Sequence, residues 1–261
     1  SRNGGSLKLE PLNWVNASVI DASGGGELTL GGAWQNTGSI RIDGATLNLG
    51  GTVQLANLGT LQRTGGSVNL TGALDLGGGT LPLDAGTGSW TMRGGTMKNG
   101  TLSQKDGGKL LFASNDANNF DSVSVVGDLD LTTLGARLQV RGGLPIQGNV
   151  LIDNSGGISF VGTQTLDDTT VVFGTVGGFL GVGGNATLTL GSGVVVRGKN
   201  AAFQQGVFLG PNDRLVNEGL ISADVAGGTF TIRPSLLENH GRIESRNGGS
   251  LKLEPLNWVN A

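Results

Sequence analysis

The chain holds one histidine, His240, inside the segment Asn239-His240-Gly241-Arg242-Ile243-Glu244. An imidazole next to a guanidinium, with the adjacent carboxylates Asp167 and Asp168 elsewhere, supplies the groups that acid–base bond cleavage requires. Asp128 and Asp130 alternate in Gly-Asp-Leu-Asp-Leu. In a strand their carboxylates would project from one face about 6–7 Å apart, which suits a carboxylate pair or part of a calcium site. Thr229 and Thr231 alternate in the same way and would present hydroxyls in a row, and the tryptophans offer indole faces for stacking. Whether any of these groups acts depends on the elements that position them.

Composition narrows the setting. Cysteine is absent, which removes disulfides and thiolate metal sites and suits an extracellular chain with nothing to oxidise, as it also suits a cytosolic one. The formal net charge is −3 and no run of Lys or Arg departs from that average, which argues against nucleic-acid binding. No stretch approaches the roughly 20 apolar residues of a membrane-spanning helix, so membrane insertion is not expected. Ser1 is neither an initiator Met nor part of a signal peptide, and any secretion signal is expected outside this sequence. The 50 glycines and 37% hydrophobic residues describe turn-rich β structure, because the Leu, Ile and Val alternate regularly where a disordered tract would lack them.

Aligning the chain on asparagine exposes a coil of about 21 residues. Asn217, Asn239, Asn260 (the copy of Asn16), Asn36 and Asn57 follow one another at steps of 22, 21, 20 and 21. Two residues before each stands a large apolar residue: Leu215, Leu237, Trp258 or Trp14, Trp34 and Leu55. Four residues after comes Ile221, Ile243, Ile20, Ile40 or Leu61. A glycine turn then precedes an apolar pair spaced by two: Phe230/Ile232, Leu251/Leu253, Leu28/Leu30, Leu47/Leu49 and Val68/Leu70. Each pair is followed by a corner residue, Pro234, Pro255, Gly32, Gly51 or Gly72.

Spacing by two means strands with one face inward, and Gly, Asn and Pro mean tight corners between them. A coil of three short strands cannot bury its own inner face, so successive coils must stack, each strand pairing in parallel with its counterpart one coil on. The expected fold is all-β, a parallel β-solenoid of roughly twelve coils with no significant helix and no capping element at either end. Trp14 and Trp34, which alternate with Leu in their column, join the apolar pairs in the inward core. Asn tolerates left-handed corners, and its amide can bond both the corner backbone and the next Asn, so the Asn column is expected to set register. From about Leu74 to Val207 the same grammar continues less regularly, with Asp116–Asn119 and Thr165–Thr170 read as outward bulges.

The coil also weighs the reactive candidates. His240 shares its column with Glu218, Ala17, Thr37 and Leu58, the variability of an outward turn position. Its segment resembles the His and Arg signatures of pectin-cleaving β-helix enzymes only superficially, since their Asn-Thr-Asp signature is missing and their two motifs are not fused. Asp128 and Asp130 lack the repeat-toxin calcium signature, and Thr229/Thr231 meet Ser250/Lys252 and Glu27/Thr29 in neighbouring coils, which breaks a threonine row. No catalytic residue, cofactor or metal ligand is therefore assigned, and the chain is not expected to be an enzyme.

Residues 1–17 recur without mismatch as residues 245–261, an offset of 244 residues. The expectation is one continuous solenoid over residues 1–261, a window on a tandem array without linkers. The pattern Leu/Trp-x-Asn-x-Gly-x-Ile followed by Gly-Gly-x-Leu-x-Leu, clearest in 216–232, 34–51 and 58–76, resembles haemagglutinin-like and autotransporter-like β-helix proteins that bacteria export to their surfaces. That resemblance implies a structural module of an extracellular fibre or adhesin stalk, with identical repeats head to tail as partners. Lateral self-association, or glycan and surface contact through the bulged loops, is the further partnership it implies.

Overall fold

The computed structural model of the protein describes residues 1–205 and 212–261; Val207, where the irregular middle stretch is expected to end, lies outside them. The chain is all-β and winds as a parallel β-solenoid of about 12 turns at a spacing of about 21 residues. Among the described residues the one helical segment is a 3-10 turn, Leu55–Asn57. The turns fall into two compact units, residues 1–111 with 117–123, and residues 112–116 with 124–261.

In the first unit, one face stacks Ser6–Leu9, Glu27–Leu30, Thr46–Leu49, Ser67–Leu70 and Trp90–Met92. Their register places Leu7, Leu28, Leu47, Val68 and Trp90 in one inward column and Leu9, Leu30, Leu49, Leu70 and Met92 in the other. Leu28, Leu30, Leu47, Leu49, Val68 and Leu70 are buried, as their period of two requires. The third face pairs Val19–Ser23, Ser39–Asp43 and Thr60–Thr64 and ends where Arg63 occupies the column of Ala22 and Ile42. Its guanidinium donates to the carbonyls of Gly65, Gly66 and Ser89, which closes that face with charge-assisted bonds.

The second face of this unit corrects the asparagine alignment at one coil. Trp14 pairs with Trp34, but the column then runs to Val53, Leu74 and Met97, not to Leu55. The corner decides this register. Thr52 N–H donates to Gly32 O, so Gly51 sits on Gly32 and the residue two further on, Val53, faces inward. Leu55 and Asn57 are left over and form the 3-10 turn. Asn57 is accordingly not a member of the Asn column.

In the second unit, three parallel faces persist. Leu129–Leu131, Asn149–Ile152, Thr170–Phe173, Val195–Gly198, Leu220–Ala223 and Arg242–Ser245 form one. Arg137–Arg141, Gly156–Val161, Gly178–Gly183, Asn200–Gln205, Thr229–Ile232 and Ser250–Leu253 form the next. Gln164–Leu166, Thr187–Leu190, Arg214–Asn217, Leu236–Asn239 and Asn257–Asn260 form the third. Phe173, Phe203 and Phe230 meet inside, the first and last edge to face at 5.8 Å and 71°. Phe230 and Ile232 are fully buried. Leu251 and Leu253, in the last turn, are only half-buried, as is Trp14 in the first, since each has a neighbouring turn on one side alone.

Candidate functional site

The reactive candidates are dispersed over the solenoid, and Asp128 and Asp130 are engaged in holding corners. His240 lies on an exposed turn with Nε2 3.8 Å from Glu238 Oε2, and the hydrogen bond from Arg214 holds the Glu238 carboxyl below its ordinary value. Asp167 falls in the same corner column as His240, three turns away by way of Gly191 and Glu218. That is roughly 14 Å at about 4.8 Å per turn, beyond hydrogen-bond reach. Asp167 and Asp168 instead lie over Gly191 and Gly193, where an added Cβ would sit 2.0 Å from their carboxylate oxygens.

Asp128 and Asp130 serve separate corners. The first accepts from Asn149 N–H at 2.8 Å and from its amide at 3.1 Å; the second accepts from Thr132 N–H at 3.1 Å and its hydroxyl at 2.6 Å. Thr229 and Thr231 align with Asn200 and Ala202 on one side and Ser250 and Lys252 on the other. Trp14 and Trp34 stack on each other at 5.8 Å, and their indole N–H groups donate to Gly31 O and Gly50 O. Their faces are thereby committed to the interior. The Asp116–Asn119 loop, read from sequence as an outward bulge, turns inward in part: Asn118 is fully buried and its Oδ1 accepts from Gly94 N–H at 2.6 Å. Asp116 pairs with Arg137 at 3.6 Å. Among the described residues, no group of three or more His, Asp or Glu is placed to hold a metal ion.

The polar feature that recurs is the asparagine column. Asn217 Nδ2 donates to Asn239 Oδ1, Asn239 Nδ2 to Asn260 Oδ1, and, in the other unit, Asn16 Nδ2 to Asn36 Oδ1, each at 2.7 Å. The same Nδ2 atoms also reach the carbonyl two residues on: Ser18 at 2.9 Å, Gly219 and Gly241 at 3.3 Å. Each amide thus closes its own corner and grips the next turn. Asn36, Asn217 and Asn239 are buried, so these bonds form away from competing water.

The ends of the column obey the same directionality. Leu190 stands in register before Asn217 and cannot donate, and Asn217 Oδ1 is buried without a partner. After Asn36 the column gives way to Leu58, whose carbonyl accepts from Asn36 Nδ2 at 2.8 Å. The acceptor end is orphaned, and the donor end finds a backbone oxygen supplied by the 3-10 turn.

The duplicated segment is seen in two settings. As residues 1–17 it pairs with the turn that follows: Leu7 with Leu28, Leu9 with Leu30, Trp14 with Trp34, Asn16 with Asn36. As residues 245–261 it pairs with the turn before: Leu251 with Phe230, Leu253 with Ile232, Trp258 with Leu237, Asn260 with Asn239. Its arginine behaves likewise. Arg2 reaches Asp21 at 3.4 Å, whereas the same residue as Arg246 reaches Glu244 at 3.3 Å and Asp224 at 3.9 Å. One sequence therefore carries two complementary edges, and each setting uses a different one.

Compared with known proteins, the chain matches no family model, no curated protein and no solved structure. What stands is the architecture, a parallel β-solenoid of about 12 turns.

Proposed function

We propose that this chain is a structural repeat module of an extracellular filament or long surface stalk, stacked end to end with identical repeats as one solenoid. The observation that carries this reading is the pair of complementary edges on the duplicated segment. If 245–261 of one repeat is the same coil as 1–17 of the next, every column runs through it. Phe230 and Ile232 then lie on one side and Leu28 and Leu30 on the other. The asparagine relay passes from Asn239 to the shared Asn and on to Asn36 with one donor direction throughout.

Such a module acts through length and stiffness. Backbone ladders parallel to the axis resist extension in every turn, and an unbroken apolar interior leaves no hinge at the junction. Asp128 is engaged at a corner, and His240 and Asp167 stand three turns apart, which favours a non-catalytic role.

Electron microscopy of a chain with two to four consecutive repeats tests the proposal. Unbranched rods should lengthen by roughly 55–60 Å for each added repeat, twelve turns at about 4.8 Å. Separate globules joined by gaps would sink it.

A further inference from the structure

The coil register fails after Asn36, and a groove opens there. The strands Ala33–Asn36 and Thr52–Gln54 pair only at Ala33 and Thr52, because the chain leaves the strand at Gln54 for the 3-10 turn Leu55–Asn57. The result is a groove of about 300 Å3 on the outer surface of the second face of the first unit. Val15 and Ala33 project outward into it with Asn13, Gln35, Gln54 and Asn57 around them, while Trp14 and Trp34 line it from the inward side of the same strands.

The lining has a definite chemistry. It contains no Lys, Arg, Asp or Glu, although charged residues make up 14% of the chain. Four amides bring both donors and acceptors to one site. The side chains of Asn13 and Gln35 hydrogen-bond to no described residue, and Asn57 makes only a long 3.4 Å bond to Gln54. These amides can turn toward a ligand without breaking anything in the fold. An apolar floor with a few convergent polar groups is the general form of a small-ligand site.

We infer that this groove binds a short stretch of neutral carbohydrate, one or two sugar rings. Hydroxyls that both donate and accept match amides that do the same, and the apolar C–H face of a sugar ring matches the exposed Val15 and Ala33. A charged ligand would find no counter-ion, and a wholly apolar one would leave the amides desolvated. In a tandem array the groove would recur once per 244 residues, so weak single sites would sum to avidity.

The test uses the 261-residue chain, so it does not depend on filament formation. Arrayed neutral hexose oligosaccharides of two to six units, with uronate and sulfated chains alongside, are screened, and each binder is titrated by tryptophan emission. Retention of a neutral oligosaccharide is expected. The double substitution Asn13→Ala with Gln35→Ala should weaken binding at least tenfold while the melting curve stays in place, since neither side chain bonds the fold. Ala33→Phe, which fills the floor, should abolish binding. No neutral ligand retained at millimolar concentration, retention of charged chains alone, or binding indifferent to these substitutions would overturn the inference.

Discussion

Replacing Asn239 by leucine tests the physical role of the asparagine column directly. The residue is 7% exposed. It accepts from Asn217 and donates to Asn260, both at 2.7 Å, and donates to Gly241 O at 3.3 Å. A leucine of similar shape removes all three bonds. At about 1 kcal/mol net for each intramolecular bond the loss is about 2–3 kcal/mol. It does not reach the larger cost of stranding a buried donor, because Asn217 Nδ2 keeps the carbonyls of Gly219 and Arg242 at 3.3 Å. In a cooperative transition this lowers the melting temperature by roughly 5–10 °C.

Two companions make the measurement decisive. Asn57→Leu lies outside the column and should stay within about 0.5 kcal/mol of the parent. Asn239→Asp keeps the acceptor but sets an ionised oxygen against Asn260 Oδ1, where a donor is needed. Measured against the parent at the same pH, this variant should be the least stable of the three at pH 7 and should recover in acid, where the protonated carboxyl can donate. Urea unfolding followed by circular dichroism reads all three variants. A loss at Asn239 below about 0.5 kcal/mol, or equal losses at Asn239 and Asn57, would refute the column.

Three further outcomes follow from local geometry. Burial pushes the Asp153 carboxyl up, but hydrogen bonds from the N–H groups of Gly177, Asn154, Val176 and Thr175 outweigh it and hold its pKa below the ordinary value. A depressed folded pKa gives stability that is present above the unfolded value and lost as pH falls through the folded one. Asp153→Asn should therefore cost about 1–3 kcal/mol at neutral pH and flatten the acid limb of the stability profile in urea titrations. Gly44 has φ +60 with open space around an added Cβ, whereas Gly51 has φ +61 and an added Cβ would fall 1.9 Å from Gly32 O. Gly44→Ala should cost about 1–2 kcal/mol from backbone strain alone, and Gly51→Ala clearly more, because two stacked corners must part; comparative thermal melts check the order. Trp34→Ala, which removes a buried indole from the stacked pair, should cost about 3–5 kcal/mol, with loss of the near-ultraviolet dichroism of the Trp14–Trp34 stack.

Most of the fold was legible because its rule is redundant. The pairs Leu28/Leu30, Leu47/Leu49 and Val68/Leu70 alternate within a strand and recur between turns, so two independent periodicities point to the same inward columns. The error at Asn57 shows which signal outranks the other. Gly-Thr-Val-Gln-Leu-Ala-Asn offers two inward candidates two residues apart, Val53 and Leu55, and matching asparagines selects the wrong one. Counting two residues from the glycine corners gives Trp34 after Gly32, Val53 after Gly51 and Leu74 after Gly72, the register the backbone adopts.

The physical ground for that precedence is steric. An added Cβ at Gly72 would lie 2.3 Å from Gly51 O, as one at Gly51 would from Gly32 O at 1.9 Å, so a corner admits one stacking position. An asparagine amide is replaceable by any group that supplies an oxygen, and Leu58 O does so beneath Asn36. Contact at a stacked corner is rigid, and a side-chain hydrogen bond is substitutable. Where the two conflict, the chain keeps its corners and extrudes the surplus residues. The groove beside Leu55–Asn57 is the consequence, which is why a site that no residue pattern announces lies where the repeat grammar fails.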